Sequence, residues 1–169
     1  MGRLLASVIF VFLLVYVFNV FGAKYFDLKY SGLAFVLPSD FRVIGDLGGQ
    51  ENILIFRYSE QKGKNYVAFT DMSNDKSLDY GCHVNEFFNI LFSPIENSSC
   101  NEKTLRIMSE TFVSGAQTNV WKSDNYIFNY SETEEKTFLF ISGKDGKLVK
   151  IDSDFLDDGA YKQITKNLN

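Results

Sequence analysis

The chain has 169 residues, 46% of them apolar and 22% charged, a balance that accommodates one folded domain and excludes intrinsic disorder. A net charge of −4 excludes nucleic acid as the main partner, because phosphate recognition needs a basic surface. His83 is the single histidine, so most histidine-dependent catalysis is excluded before any motif is sought.

The apolar residues are not evenly spread. Leu4 to Ala23 is an uncharged run of twenty residues, LLASVIFVFLLVYVFNVFGA. As a helix rising about 1.5 Å per residue it would span about 30 Å, the thickness of a hydrocarbon core. It is read as a transmembrane signal anchor, with residues 1–3 as a cytoplasmic stub and residues 24–169 as an extracytoplasmic, periplasmic-type domain of a bacterial inner-membrane protein. A cleaved signal peptide is the competing reading. Cleavage after Ala23 would set bulky Phe21 at −3, whereas cleavage after Gly22 would set Val20 there, which is tolerable. Arg3 before the run and Lys24 and Lys29 after it are nearly balanced, so orientation rests on the two cysteines, both of which follow it. Without Arg3, residues 24–169 hold sixteen Lys and Arg against 21 Asp and Glu, a net charge of −5.

Past the run, Phe26 to Pro38 (FDLKYSGLAFVLP) reads as one strand that Ser39 to Ile44 continues, with GDLGG as a turn. Asn52 to Tyr58 and Asn65 to Met72 are two further strands joined by the polar SEQKGK, the pattern of an antiparallel hairpin. Ser73 to Tyr80 is polar and irregular. The period then changes: Val84, Phe87, Phe88, Leu91 and Phe92 share one helical face, and Pro94 ends the helix. Cys82 and Cys100 flank that helix, and an even cysteine count in an oxidising compartment reads as one disulfide. Lys103 to Val113 fits either period; the alternation of Leu105, Ile107 and Ser109 favours a strand. Thr118 to Lys122, Asn125 to Tyr130 and Thr137 to Ser142 are strands, and Asp145-Gly146 turns the chain back into Leu148 to Ile151. Asp157 to Leu168 closes the chain as a helix opened by acidic residues, with Ala160, Tyr161, Ile164 and Leu168 toward the sheet. The expected fold is α+β, an N-terminal transmembrane helix followed by a mostly antiparallel sheet with one or two covering helices; a small β-barrel is the alternative.

Motifs for chemistry are sparse. No G-x-S-x-G, P-loop, G-x-G-x-x-G or H-E-x-x-H occurs. Cys82, His83 and Cys100 lack zinc-site spacing. The acids of IDSDFLDDG (Asp152, Asp154, Asp157, Asp158) miss the EF-hand pattern, and those of SETEEK suit a hairpin tip. No catalytic residue, cofactor or metal is expected. Asn97 and Asn129 each head an N-x-S sequon. Of the 27 aromatic residues, 22 follow Ala23, and Tyr58, Tyr66, Trp121 and Tyr126 beside polar turns are the candidates for an interface or ligand pocket. These features favour a non-enzymatic, membrane-anchored module that binds a partner protein at the outer face of the cytoplasmic membrane. It would be an accessory subunit of a membrane complex or sensor, or an immunity-type inhibitor. The alternatives are a sensor or carrier for a small apolar ligand and, last, a carboxylate-based hydrolase.

Overall fold

The computed structural model describes residues 24–48 and 52–168. Ser31 and Gly32 both take left-handed backbone, φ 48° and 77°, which a tight two-residue hairpin turn requires. They fold the expected single strand Phe26–Pro38 into an antiparallel pair, β1 (Tyr25–Tyr30) and β2 (Leu33–Pro38). The chain then breaks at Ser39–Arg42 and enters β3 (Val43–Leu47). Gly45 to Leu47, expected in a turn, are therefore strand residues. The next strands are β4 (Ile53–Arg57) and β5 (Tyr66–Asp71), the expected hairpin.

Two helices follow. Helix α1 (Val84–Phe92) buries Val84, Phe87, Phe88 and Leu91 of the expected face, and Ile90 besides, while Phe92 is half-buried. Helix α2 (Glu102–Phe112) occupies the segment expected as a strand. The reason is local: the Asn101 side chain accepts from the Thr104 amide as an N-cap, and Glu102 sits in the first turn, where the macrodipole favours an acid. Its apolar stripe of Leu105, Met108 and Phe112 packs toward α1, while Ile107 stays exposed. Strands β6 (Gln117–Lys122), β7 (Tyr126–Glu132), β8 (Thr137–Gly143) and β9 (Leu148–Ser153) form a meander. Asp157 caps α3 (Asp158–Ile164), and a 3-10 turn at Lys166–Leu168 ends the described chain.

The large sheet has seven strands in the order β3-β4-β5-β9-β8-β7-β6, all antiparallel. Strand β9 joins the early half to the late half. Strand alternation divides the side chains between two faces. Phe56, Phe69, Ile151, Leu139 and Phe128 meet the β1–β2 pair, with Tyr161, Ile164 and Leu168 packed into the same core. Phe140 and Leu148 point the other way, under α1 and α2, where Phe88 stacks on Phe140 at 4.3 Å.

The expected fold is corrected here. Among the described residues two sheets and three helices replace one sheet with one or two covering helices. Both faces of the large sheet carry a layer, because β1–β2 and α3 cover the side opposite α1 and α2. The sheet ends in two edge strands, β3 and β6, so it is not a closed barrel. Among the described residues no helix is long and apolar enough to cross a membrane. Leu4–Ala23 lies outside the described residues.

Candidate functional site

Helix α1 packs on β8 and β7. On the same sheet face the other end is far less covered: Val43 and Leu47 of β3 are 42% and 50% exposed, and Ile53, Ile55 and Arg57 of β4 are half-buried. The register sets these side chains in rows. Val43, Arg57 and Tyr66 make one; Gly45, Ile55, Ala68 and Asp152 the next; Leu47, Ile53, Thr70 and Lys150 the third. Gly45 leaves a gap in its row, since a Cβ there would meet no atom within 4 Å. Around it lies a hollow of about 420 Å³, lined by Val43, Gly45, Ile55, Arg57, Tyr66 and Lys136.

The chemistry of this hollow is aliphatic with a cationic end. Arg57 Nε is buried and lacks a hydrogen-bond partner, and the Arg57 guanidinium joins none of the ion pairs found among the described residues. Lys136 stands exposed at the rim with its Nζ 5.8 Å from the Tyr66 ring centre. A hydrogen bond with Tyr66 raises the Lys136 ammonium above its ordinary value, and burial raises the Tyr66 phenol, so both keep their protons at neutral pH. Asp152, which borders them, is already engaged: it accepts from the Tyr66 hydroxyl at 3.2 Å and pairs with Lys150 at 3.2 Å.

A larger hollow of about 830 Å³ lies on the same face, between Ile53, Thr70, Lys150 and the loop after β5. Its acids are used internally. Burial would raise the Asp71 carboxyl, but hydrogen bonds from Ser31 and Ser73 outweigh it and hold the group below its ordinary value. Asp75 is likewise lowered, against burial, by donation from the Tyr80 hydroxyl at 2.6 Å and from Ser77.

Of the four aromatic candidates, Tyr66 opens into the 420 Å³ hollow. The other three pack against the opposite core. Tyr58 donates to the Pro38 carbonyl at 3.2 Å and meets Phe155 edge-on. Trp121 stacks on Phe128 at 5.2 Å, with Lys162 Nζ 5.2 Å from the Trp121 ring. Tyr126 lies 6.3 Å from the same Phe128 ring. The fold thus brings Trp121 and Tyr126 together, and Tyr66 apart from them. Arg57, Lys136 and the aliphatic rows of β3 and β4 were not singled out from the sequence. The signal for them was the run VIGDL, whose Gly45 reads locally as a turn residue.

Cys82 and Cys100 lie at disulfide distance, with Cα atoms 4.7 Å apart. His83 contacts the Asn85 side chain through Nδ1 at 2.6 Å. The acids of IDSDFLDDG serve the fold. Asp154 accepts from the Asn65 and Tyr66 amides at 3.0 Å, Asp157 caps α3, and Asp158 pairs with Lys162 at 2.6 Å. No group of three His, Cys, Asp or Glu side chains able to hold a metal occurs among the described residues. Asn129 is fully buried and donates to Asn89 Oδ1 at 2.9 Å, so its sequon is closed to an enzyme, whereas Asn97 is exposed. Comparison with known proteins finds no protein-family model that matches the chain and no curated protein similar to it.

Proposed function

We propose that the domain is a non-enzymatic binding module that acts outside the cytoplasm, at the outer face of the membrane, and docks a partner protein on β3 and the open sheet face beside it. One observation carries this reading. Strand β3 ends the seven-stranded sheet with Val43, Ile44 and Leu47 exposed at 42%, 53% and 50%. An apolar edge strand is a liability that natural proteins blunt or cover, and it is the template used when an added strand recognises a sheet. The cysteine pair supports an oxidising compartment, and the uncharged run Leu4–Ala23 supports membrane attachment, which would raise the local concentration of partners in the same membrane.

The test is site-specific photo-crosslinking of the full chain in its native membrane. A crosslinker at Leu47 should yield one dominant protein adduct, and one at Ile107 on the far side of α2 should not. Equal or absent adducts at the two positions would sink the reading. The second reading, a carrier for a small apolar ligand, draws on the 420 Å³ hollow, a volume within the range of small-molecule sites.

A further inference from the structure

We infer that the partner segment docked at β3 presents an acidic side chain flanked by aliphatic residues, its carboxylate received by Arg57 and Lys136; this rests on the partner-binding reading above. The domain as a whole is acidic, at −5 over residues 24–169, yet the hollow beside its apolar edge presents two cations and no unengaged acid among its lining residues. Arg57 is half-buried, with Nε desolvated and unpartnered. That nitrogen has lost water without gaining an acceptor, while the terminal nitrogens of the half-buried guanidinium remain available as planar donors for a carboxylate. Lys136 supplies a second, exposed charge whose proton Tyr66 helps to hold. An aliphatic floor surrounds the cations: Val43 beside Arg57 in its row, and Ile55 in the next.

Period-two spacing links the hollow to the edge. A strand laid along β3 sends alternate side chains over the sheet face, where the gap above Gly45 admits one. Its neighbours two residues away on that face would meet Val43 and Leu47, both apolar. The occupant therefore reads aliphatic–x–acid–x–aliphatic, in extended conformation.

The experiment uses the full chain in detergent and a dye-labelled, end-blocked peptide Ser-Val-Ser-Glu-Ser-Val-Ser, with Gln and Lys counterparts at the Glu position, followed by fluorescence anisotropy. The Glu peptide should bind at least tenfold more tightly than the Gln peptide, and the Lys peptide should not bind. Arg57→Gln and Lys136→Gln should each weaken the Glu peptide about tenfold and make its binding less salt-dependent. Gly45→Phe should abolish binding with the melting temperature retained, since the backbone there is ordinary and the space is open. Equal binding of the Glu and Gln peptides, or full binding by Gly45→Phe, overturns the inference. So does saturable binding of free 4-phenylbutanoate in the absence of peptide binding, which makes the hollow a small-molecule site. The two levels separate in the membrane crosslink: a Leu47 adduct that survives Arg57→Gln and Lys136→Gln together overturns the carboxylate and leaves the partner reading standing. Loss of the adduct in the unmodified chain overturns both.

Discussion

The Tyr161 hydroxyl is wholly buried, donating to the Thr137 carbonyl at 3.1 Å with Thr137 Oγ1 at 3.2 Å. Tyr161→Phe removes the donor and leaves that carbonyl short of one partner, so urea unfolding should show a loss of about 1–2 kcal/mol. Gly81 is a second sensitive residue. Its φ is +70°, and an added Cβ would stand 2.6 Å from the backbone nitrogen of Asn101. Gly81→Ala therefore meets both backbone strain and a clash that no side-chain rotation relieves, and should cost more than about 1 kcal/mol in the same measurement. Neither dependence is legible in the sequence, because each joins residues that are distant along the chain. Asn129 makes the same point in reverse: its sequon suggests a surface site, yet strand alternation turns the side chain inward to Asn89.

Helices α1 and α2 are fastened to one another and to the preceding loop by a small set of contacts. The Asn101 side chain caps α2 and donates to Asp79 at 2.8 Å, and the Asn101 amide donates to the Tyr80 carbonyl at 2.8 Å. Asn101→Ala should destabilise the domain by about 1 kcal/mol from the cap alone, read from the midpoint of thermal unfolding. The Cys82–Cys100 link closes a loop of 18 residues, so a Cys82→Ser, Cys100→Ser pair should lose about 3 kcal/mol in the chain-entropy account. Alkylation of the full chain with and without reductant checks that the link is formed; two freely alkylated thiols would exclude it. At this scale the sequence was readable where one face is strongly apolar, as in α1 and in the hairpin of β4 and β5. It misled where the pattern is weak. Helix α2 buries no residue fully, so packing leaves little periodicity in Lys103–Val113, and the helix is marked instead by its cap. Strand β3 is likewise exposed on both faces, and without a buried face its Gly45 reads as a turn.

Titration acts on the whole molecule with opposite signs at its two limits. Asp71 and Asp75 have carboxyls lowered in the fold, so their contribution is present above the ordinary value of 3.8 and is lost as the pH falls below it through the folded values. Tyr30, Tyr58, Tyr66, Tyr80, Tyr130 and Tyr161 are all raised, chiefly by burial, and Tyr80 is pushed up to about 12. Their contribution is complete below pH 10 and is lost as the pH rises through those higher values. Circular dichroism against pH should therefore show a broad plateau that falls off below about pH 4 and above about pH 10, with Asp75→Asn moving the acid limb upward. The overall topology was only half legible. Hairpins declare themselves through their turns, so β4–β5 and the late meander could be read, but the pairing of β5 with β9 has no local signal because α1 and α2 intervene. That same pairing sets the order of assembly. The strand at the centre of the sheet is the last one made, so a chain threaded from its N-terminus exposes β3, β4 and β5 as an orphan ribbon until Leu148–Ser153 emerges. Throughout that interval β5 is a second bare edge, open to mispairing with any exposed strand until β9 fills the gap.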